Sequence, residues 1–330
     1  MNKLNRILAI ILALQVALVA VIFWPRPSTS GGGGPLLPGV VPEKVVSVTI
    51  RDGSGRYVKM TRSGEGWVIP EADDYPVREN KVPPFLDKIA QVKAERLVTR
   101  TANSHRRLRV AEDDYRRLIE LELDDGSVHR LYLGTSPGYN ATHVRAEGQD
   151  EVYLTSALTV QDASAEARFW VETTYLEIPK DQIVAMRLEN ANGVIDLEKG
   201  EDGNWRLTDL AEGEEMDQQR ASVLVSEVYY TTLLEPLGKE EKAEYGMDDP
   251  NALITVLTRD EEGKEKTYTL RVGARDPQDG SYVIISSESP YYVRVGEFVV
   301  KDFVEKKRSD LLKLPPTPAT TPTPEVTPTP

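Results

Sequence analysis

Cysteine is absent from the 330 residues of this chain. Its absence excludes disulfides, thiolate metal ligands, cysteine nucleophiles and lipid attachment through cysteine, but it leaves the redox compartment open. Histidine is scarce as well, and His105, His129 and His143 lack the spacing of paired metal ligands. We therefore interpret the three histidines as surface residues and predict neither a metal site nor a cofactor.

Positive charge is the scarcer sign, with 40 Lys and Arg against 53 Asp and Glu and a formal net charge of −13. We expect no Lys/Arg-rich stripe to offset this acidity. The surface should then repel phosphate backbones, so nucleic acid is not an expected partner. Hydrophobic residues make up 40% of the chain and charged residues 28%, which is typical of a folded protein with room for about two domains.

One long apolar run, residues 7–24, has Gln15 as its only polar member. As a helix it would span roughly 27 Å, close to the ~30 Å hydrocarbon core of a bilayer. Lys3 and Arg6 precede the run, so the positive-inside rule places the N-terminus in the cytoplasm and the bulk of the chain outside. We predict a single-pass signal anchor in the cell membrane. The alternative, a cleaved signal peptide, usually has a shorter apolar run and a small-x-small cleavage site.

The segments outside the folded part are predicted from composition. Residues 1–6 would be a cytoplasmic stub, and residues 25–43 a flexible linker rich in Gly, Pro and Ser. Residues 313–330 consist largely of Pro and Thr and cannot bury a core, so we predict a disordered, extended tail. Sugar decoration of this tail or its insertion into a wall layer is an alternative.

An internal repeat is visible in the remainder of the chain. Residues 45–69 align with residues 183–207, and later matches keep a nearly constant offset. We predict two tandem copies of one unit, residues 44–160 and 182–312, connected by residues 161–181. The residues that define the repeat are Trp67, Trp205, Asp114, Asp249, Gly134, Gly273, Tyr153 and Tyr282.

Each copy reads as three strands, one main helix and four further strands. The strands follow from period-2 alternation with β-branched residues, and Asp125-Gly126 predicts a hairpin. Strands grouped around one helix indicate an α+β fold with a largely antiparallel sheet. The predicted apolar face is formed by Val82, Phe85, Leu86, Ile89 and Val92 in the first helix, and by Val223, Val225, Val228 and Tyr229 in the second.

The unit resembles the bacterial domain of unknown function 4340. The resemblance rests on a strand-borne tryptophan (Trp67 and Trp205), a following helix, and the Tyr-Gly-Met-Asp-Asp-Pro element at residues 245–250. A strand ending at Gly273 and the Tyr282-Val283 strand complete the pattern, from which the first copy departs in its turn. The resemblance implies no catalytic residues. It implies a membrane-anchored extracytoplasmic protein associated with ABC-type export or gliding-type systems.

The most suggestive catalytic motif is G-x-S-x-G at residues 134–138. A nucleophile elbow requires its serine on a strand-to-helix turn, whereas Ser136 is followed by a loop and a strand, and the second copy has no serine there. We interpret the motif as a hairpin loop. The acidic pairs ending at Asp114 and Asp249 are interpreted as turn caps, and Asp276 and Asp279 as turn residues without calcium-loop spacing.

Two tyrosine pairs remain as candidate ligand or partner contacts: Tyr229-Tyr230, predicted on the second helix, and Tyr291-Tyr292, predicted on a strand. Since strand neighbours face opposite ways, one of Tyr291 and Tyr292 is expected in the core. Trp205 is expected in the core as well, because its twin Trp67 occupies the matching place.

The sequence therefore predicts a membrane-anchored accessory or scaffold protein that acts by binding a membrane protein, such as a transporter component, without catalysis. Binding of a cell-envelope glycan or peptide is the alternative, and a hydrolase is third. Any small-molecule ligand stays unknown.

Overall fold

The computed structural model describes residues 33–313. The predicted stub, the apolar run 7–24, the first part of the linker and almost all of the Pro/Thr-rich tail lie outside the described residues. Among residues 33–313, no helix is long and apolar enough to span a bilayer. The linker was predicted to be flexible through residue 43, but Leu36, Leu37 and Val40 are buried. The packed part of the chain therefore begins before residue 43.

Contacts divide the described chain into two units. The first contains the residues up to Tyr57 together with Val82–Ala165, and the second contains Val58–Lys81 and the residues from Glu166 onward. The predicted copies, residues 44–160 and 182–312, have different bounds, and their boundaries stay a prediction.

The strands of the described chain are named in chain order. The first nine are β1 Val45–Asp52, β2 Tyr57–Ser63, β3 Gly66–Ile69, β4 Tyr75–Pro76, β5 Leu97–Thr99, β6 Arg117–Leu123, β7 Val128–Leu133, β8 Thr142–Ala146 and β9 Val152–Thr155. The remainder are β10 Thr174–Glu177, β11 Ile183–Asn190, β12 Gly193–Lys199, β13 Trp205–Leu207, β14 Tyr230–Thr232, β15 Glu235–Gly238, β16 Ala252–Arg259, β17 Glu265–Arg275, β18 Tyr282–Ser286 and β19 Tyr292–Val295. The α-helices are α1 Val82–Ala90, α2 His105–Leu108, α3 Gln218–Val228 and α4 Glu297–Glu305.

In the first unit, six strands pair in the order β1-β6-β7-β8-β9-β5. Every pairing is antiparallel. The β6–β7 hairpin turns at Gly126, whose φ of 80° suits glycine, so the predicted Asp125-Gly126 turn is confirmed. Strand β5 pairs with β9 and ends this order, so it is an edge strand.

In the second unit, eight strands follow the order β13-β12-β11-β16-β17-β18-β19-β15. A two-stranded ribbon, β10-β14, and the antiparallel pairing of β2, β3 and β4 complete it. Six of the eight strands, β11-β16-β17-β18-β19-β15, repeat the order found in the first unit. The predicted α+β class with largely antiparallel sheets is confirmed.

Helix α1 has the predicted apolar face. Val82, Phe85, Leu86 and Ile89 are all buried, and residues 83–84, both proline, lie in its first turn, where their missing N–H groups cost nothing.

Helix α3 differs from its prediction. The Asp217 carboxylate caps its first turn by accepting the N–H groups of Gln219 and Arg220. This start fixes a buried face that contains Leu224 but leaves Val223 49% exposed, so the predicted placement of Val223 was wrong. The full buried face is Ala221, Leu224, Val225 and Val228.

The helix also ends earlier than predicted. Its last residue is Val228, and Tyr230 already begins strand β14, opposite Glu177 of β10. The prediction that Tyr229 and Tyr230 lie on the helix was therefore wrong. An aromatic and β-branched run from residue 229 to 232 favours strand pairing over a further helical turn.

Candidate functional site: a tyrosine cluster in the second unit

The two strand tryptophans are core residues. Trp67 is 5% exposed and Trp205 is 6% exposed, so the predicted burial of both is confirmed. Each indole also lies under a cationic side chain, Arg62 over Trp67 and Lys199 over Trp205. The Gln218 side chain also bonds to the backbone of Trp205. Its amide oxygen accepts the Trp205 backbone N–H at 2.8 Å, and its amide nitrogen donates to the Trp205 carbonyl at 2.7 Å.

Gly134, directly after β7, and Gly273, near the end of β17, allow the same close approach in each unit; the strand expected to end at Gly273 continues to Arg275. A Cβ on Gly134 would lie 2.0 Å from the carbonyl oxygen of Leu108, and a Cβ on Gly273 would lie 2.0 Å from that of Tyr245. Neither position tolerates a side chain. This gives a packing reason for the glycine that begins the G-x-S-x-G motif.

Among the described residues, no histidine bonds to the serine of that motif. Ser136 is exposed in the β7–β8 loop, and the neighbouring His143 Nδ1 contacts Thr135 instead, at 2.8 Å from its carbonyl oxygen. His143 and His105 are each 8% exposed. Their interpretation as surface residues was wrong, because each buried ring finds a backbone carbonyl to bond; for His105 this is Asp150, at 2.9 Å.

The remaining repeat-defining residues differ in environment. Tyr153 and Tyr282 are both buried at 6% exposure. Asp114 is half-buried and its carboxylate accepts a hydrogen bond from Arg109 Nε at 3.0 Å, whereas Asp249 is exposed.

Tyr291 and four other tyrosines of the second unit form one cluster. We call Tyr75, Tyr175, Tyr245, Tyr291 and Tyr292 the tyrosine cluster. The Tyr75 and Tyr291 rings meet edge to face with centroids 4.7 Å apart. The Tyr175 hydroxyl donates to the Tyr291 carbonyl at 2.7 Å. Tyr291 is half-buried, whereas Tyr292 is 6% exposed.

The buried Tyr292 of the cluster bonds to an acid. The Tyr292 hydroxyl donates to Glu241 Oε2 at 2.5 Å, and its ring lies 5.3 Å from that of Tyr245. Burial, followed by the hydrogen bond to Glu241, raises the pKa of Tyr292 to about 12. Burial, with Tyr291 and Glu172 adding to it, raises the pKa of Tyr75 to about 12. Both hydroxyls are therefore protonated at neutral pH, and that of Tyr292 is a hydrogen-bond donor to Glu241.

The other predicted tyrosine pair lies outside the cluster. Tyr230 is 48% exposed and its hydroxyl lies 3.1 Å from Thr174 Oγ1, while Tyr229 is half-buried beneath Lys180. The strand that pairs with Tyr230, β10, also carries Tyr175 of the cluster.

Sequence reasoning missed the partners of Tyr291. Asp73 and Asp74 adopt consecutive left-handed conformations, with φ of 51° and 61°, which are uncommon for non-glycine residues. The Asp73 carboxylate accepts the Lys239 backbone N–H at 2.6 Å, and the Lys239 ammonium lies 4.7 Å from the Tyr291 ring centroid. The Tyr291 hydroxyl donates to the Asp74 carbonyl at 3.4 Å.

The outcome is an aromatic surface with an acidic rim. We define the Tyr291 surface as Tyr291, Lys239, Asp73 and Asp74. Lys239, Asp73 and Asp74 are exposed, while Tyr291 is half-buried. Further exposed acids close in sequence to Asp73 and Lys239 are Glu71, Glu240 and Glu241. An aromatic side chain beside exposed carboxylates suits a partner that presents cationic or hydrogen-bonding groups.

Comparison with known proteins gives a family. The sequence model described as "Domain of unknown function (DUF4340)" matches residues 67–250, more than half of the chain. The chain belongs to the DUF4340 family. The match begins at Trp67 and ends at Pro250, so it includes the tryptophan, helix and Tyr-Gly-Met-Asp-Asp-Pro elements that suggested the resemblance. No curated protein and no solved structure matches.

The DUF4340 match covers part of the candidate site. Asp73, Asp74, Tyr75 and Lys239 fall within it, whereas Tyr291 comes after its end. Within residues 33–313, no group of three or more His, Asp or Glu side chains could hold a metal ion.

The expectation that this DUF4340 chain has no Lys/Arg-rich stripe was wrong. Residues 93–109 hold six basic residues and a single acid, Glu95. We call residues 93–109 the basic segment; its basic residues are Lys93, Arg96, Arg100, Arg106, Arg107 and Arg109. The net charge did not indicate this segment, because the net charge of a chain carries no information on how charges are distributed along it.

Proposed function

We propose that this DUF4340 protein is a single-pass, membrane-anchored extracytoplasmic protein that acts as an accessory or scaffold by binding another protein. The uncharged run at residues 7–24 supports the anchor. The shared six-strand order of the two units supports a fold of two tandem α+β repeats.

The Tyr291 surface carries the proposal of protein binding. Tyrosine is enriched at protein interfaces because it offers a rigid apolar ring and a polar tip. Two adjacent left-handed aspartates hold the rim of this surface, and such backbone strain accumulates where function requires it. The acidic rim favours a partner with a cationic segment, and the family resemblance suggests a membrane component of an ABC-type export or gliding-type system.

A glycan or peptide of the cell envelope is the second candidate, since aromatic rings beside carboxylates are also used to bind sugars. The packing of Tyr291 argues against it. Tyr75 meets the Tyr291 ring edge to face and Lys239 lies over the ring, which leaves little aromatic face for a sugar to stack upon.

Crosslinking in intact membranes tests the proposal. A photoreactive amino acid replaces Lys239 in the full chain, and a matched probe replaces Val194, an exposed valine (43%) of β12. We expect the Lys239 probe to capture a membrane protein that the Val194 probe does not. Equal capture by the two probes, or none by either, would contradict the proposal. Retention of the full chain on isolated wall material, lost on Tyr291→Ala, would favour the glycan candidate instead.

A further inference from the structure

The basic segment is a local reversal of charge. With six cations and one acid it carries a formal charge of +5 within a chain of −13. Three of its cations are compensated: Lys93 by Glu95, Arg106 by Asp113 and Arg109 by Asp114. Among the described residues, no acid pairs with Arg96, Arg100 or Arg107, and all three are exposed.

Apolar side chains lie between the unpaired arginines. Leu97 is 41% exposed and Val98 is 42% exposed; both belong to the edge strand β5, between Arg96 and Arg100. Amphipathic segments bind membrane interfaces through the same two groups, since their apolar side chains enter the headgroup region and their cations meet lipid phosphates.

The basic segment lies beside the place where the chain enters the fold. The Ala94 N–H donates to the Gly34 carbonyl at 3.0 Å, and the Leu36 N–H donates to the Val92 carbonyl at 2.7 Å. Residues 34–36 thus run along residues 92–94, immediately before β5. The residues that precede Gly34 in the sequence are the linker and the proposed anchor, so with that anchor in the membrane only a short stretch of sequence would separate this segment from the bilayer.

We propose that β5 and the basic segment contact anionic lipid headgroups at the outer surface of the membrane that holds the anchor. The inference rests on the proposed anchor. Charge complementarity favours lipid phosphates, and the adjacent tether brings the surface to them. The contact would fix the orientation of the first unit at the bilayer.

The absence of native cysteine allows a clean test. The full chain with Val98→Cys is labelled with an environment-sensitive dye and placed in vesicles of phosphatidylcholine alone or mixed with phosphatidylglycerol. Val194→Cys, at similar exposure (43%), is the matched control. In the anionic vesicles we expect the emission at position 98 to shift to the blue and lipid-borne quenchers to act several-fold more strongly there than at position 194.

Charge removal completes the test. With Arg96, Arg100 and Arg107 all changed to Gln, we expect the shift at position 98 to vanish while the urea midpoint stays unchanged. A label at position 98 that remains as water-exposed as that at 194 overturns the inference, as does an equal shift in neutral vesicles. So does shielding that occurs only in cell membranes, which would assign the segment to a protein.

Flotation of the same samples separates this inference from the proposed function. A chain that floats with the vesicles while position 98 stays in water refutes the lipid contact and leaves the anchor intact. A chain that does not float refutes both.

Discussion

Gly273 lies so close to Tyr245 that a Cβ on the glycine would come within 2.0 Å of the tyrosine carbonyl oxygen. We expect Gly273→Ala to force the backbone apart and to destabilise the chain by about 1–3 kcal/mol, as overpacking of a tight site does. Gly134→Ala should have a similar effect, since its Cβ would meet the Leu108 carbonyl at the same distance. Urea denaturation of the variants measures both.

Gly138 provides the control for Gly134. It lies in the same loop, and a Cβ there would meet no atom within 4 Å. We expect Gly138→Ala to change the free energy of unfolding by less than about 0.5 kcal/mol. If Gly134→Ala were equally harmless, the close approach would not constrain the fold.

Trp205 should behave as a core anchor. Because it is 6% exposed, we expect Trp205→Ala to reduce the free energy of unfolding by ~3–5 kcal/mol. Val194→Ala, at an exposed valine of the neighbouring strand β12, should cost under about 0.5 kcal/mol. A Trp205→Ala protein that kept full stability and lost only partner capture would show that the indole serves binding instead.

The Trp205 prediction rests on a feature that the sequence alone conveys. Period-2 alternation locates β1, β2, β3 and β13, and it gives the burial of Trp67 and Trp205, because a strand fixes which side chains share a face. The face of α1 follows equally well from helical spacing. What these elements have in common is that neighbours in sequence determine their structure.

The features that were missed depend on distant neighbours. Tyr75, Tyr175 and Tyr291 meet only after the chain has folded, and no periodicity relates them. The register of α3 depends on its cap at Asp217, and a shift in that start rotates Val223 away from the core. The buried His143 ring donates its Nδ1–H to the carbonyl of Thr135 in its own hairpin, a contact that composition cannot reveal.

The variant Asp74→Gly distinguishes an effect on stability from an effect on binding. Its left-handed backbone, φ 61°, costs a non-glycine residue about 1–2 kcal/mol, and glycine loses about 0.5–1 kcal/mol of chain entropy in exchange. We expect Asp74→Gly to leave stability unchanged or to raise it by up to about 1 kcal/mol, while the yield of partner crosslinked through the Lys239 probe falls because a rim carboxylate is gone.

Asp73→Gly is the comparison for Asp74→Gly. It relieves similar strain but removes the carboxylate that accepts the Lys239 N–H at 2.6 Å, so we expect it to be less stable than Asp74→Gly by about 1 kcal/mol. Crosslinking by Asp74→Gly at the level of the unchanged chain would show that the rim does not contribute to binding.

Alkaline pH should weaken the fold through the tyrosine cluster. Burial is the main cause that raises the pKa of Tyr75, Tyr175 and Tyr292 to about 12, from 10.0 for an unperturbed tyrosine. Below pH 10 both folded and unfolded chains keep these protons, so the full stability is present. As pH rises from 10 to 12 the unfolded chain loses them first, and the free energy of unfolding falls. Urea midpoints across this range measure the effect, with tyrosinate absorbance reporting the titration.

The variant Tyr292→Phe tests whether the tyrosine cluster causes the loss of stability at alkaline pH. The variant lacks the hydrogen bond to Glu241 and should start less stable, but its stability should decline less steeply between pH 10 and 12 because one shifted hydroxyl is gone. Tyr139→Phe, at a tyrosine that is 98% exposed, should leave the slope unchanged. A Tyr292→Phe protein that declined as steeply as the unchanged chain would place the alkaline sensitivity outside the cluster.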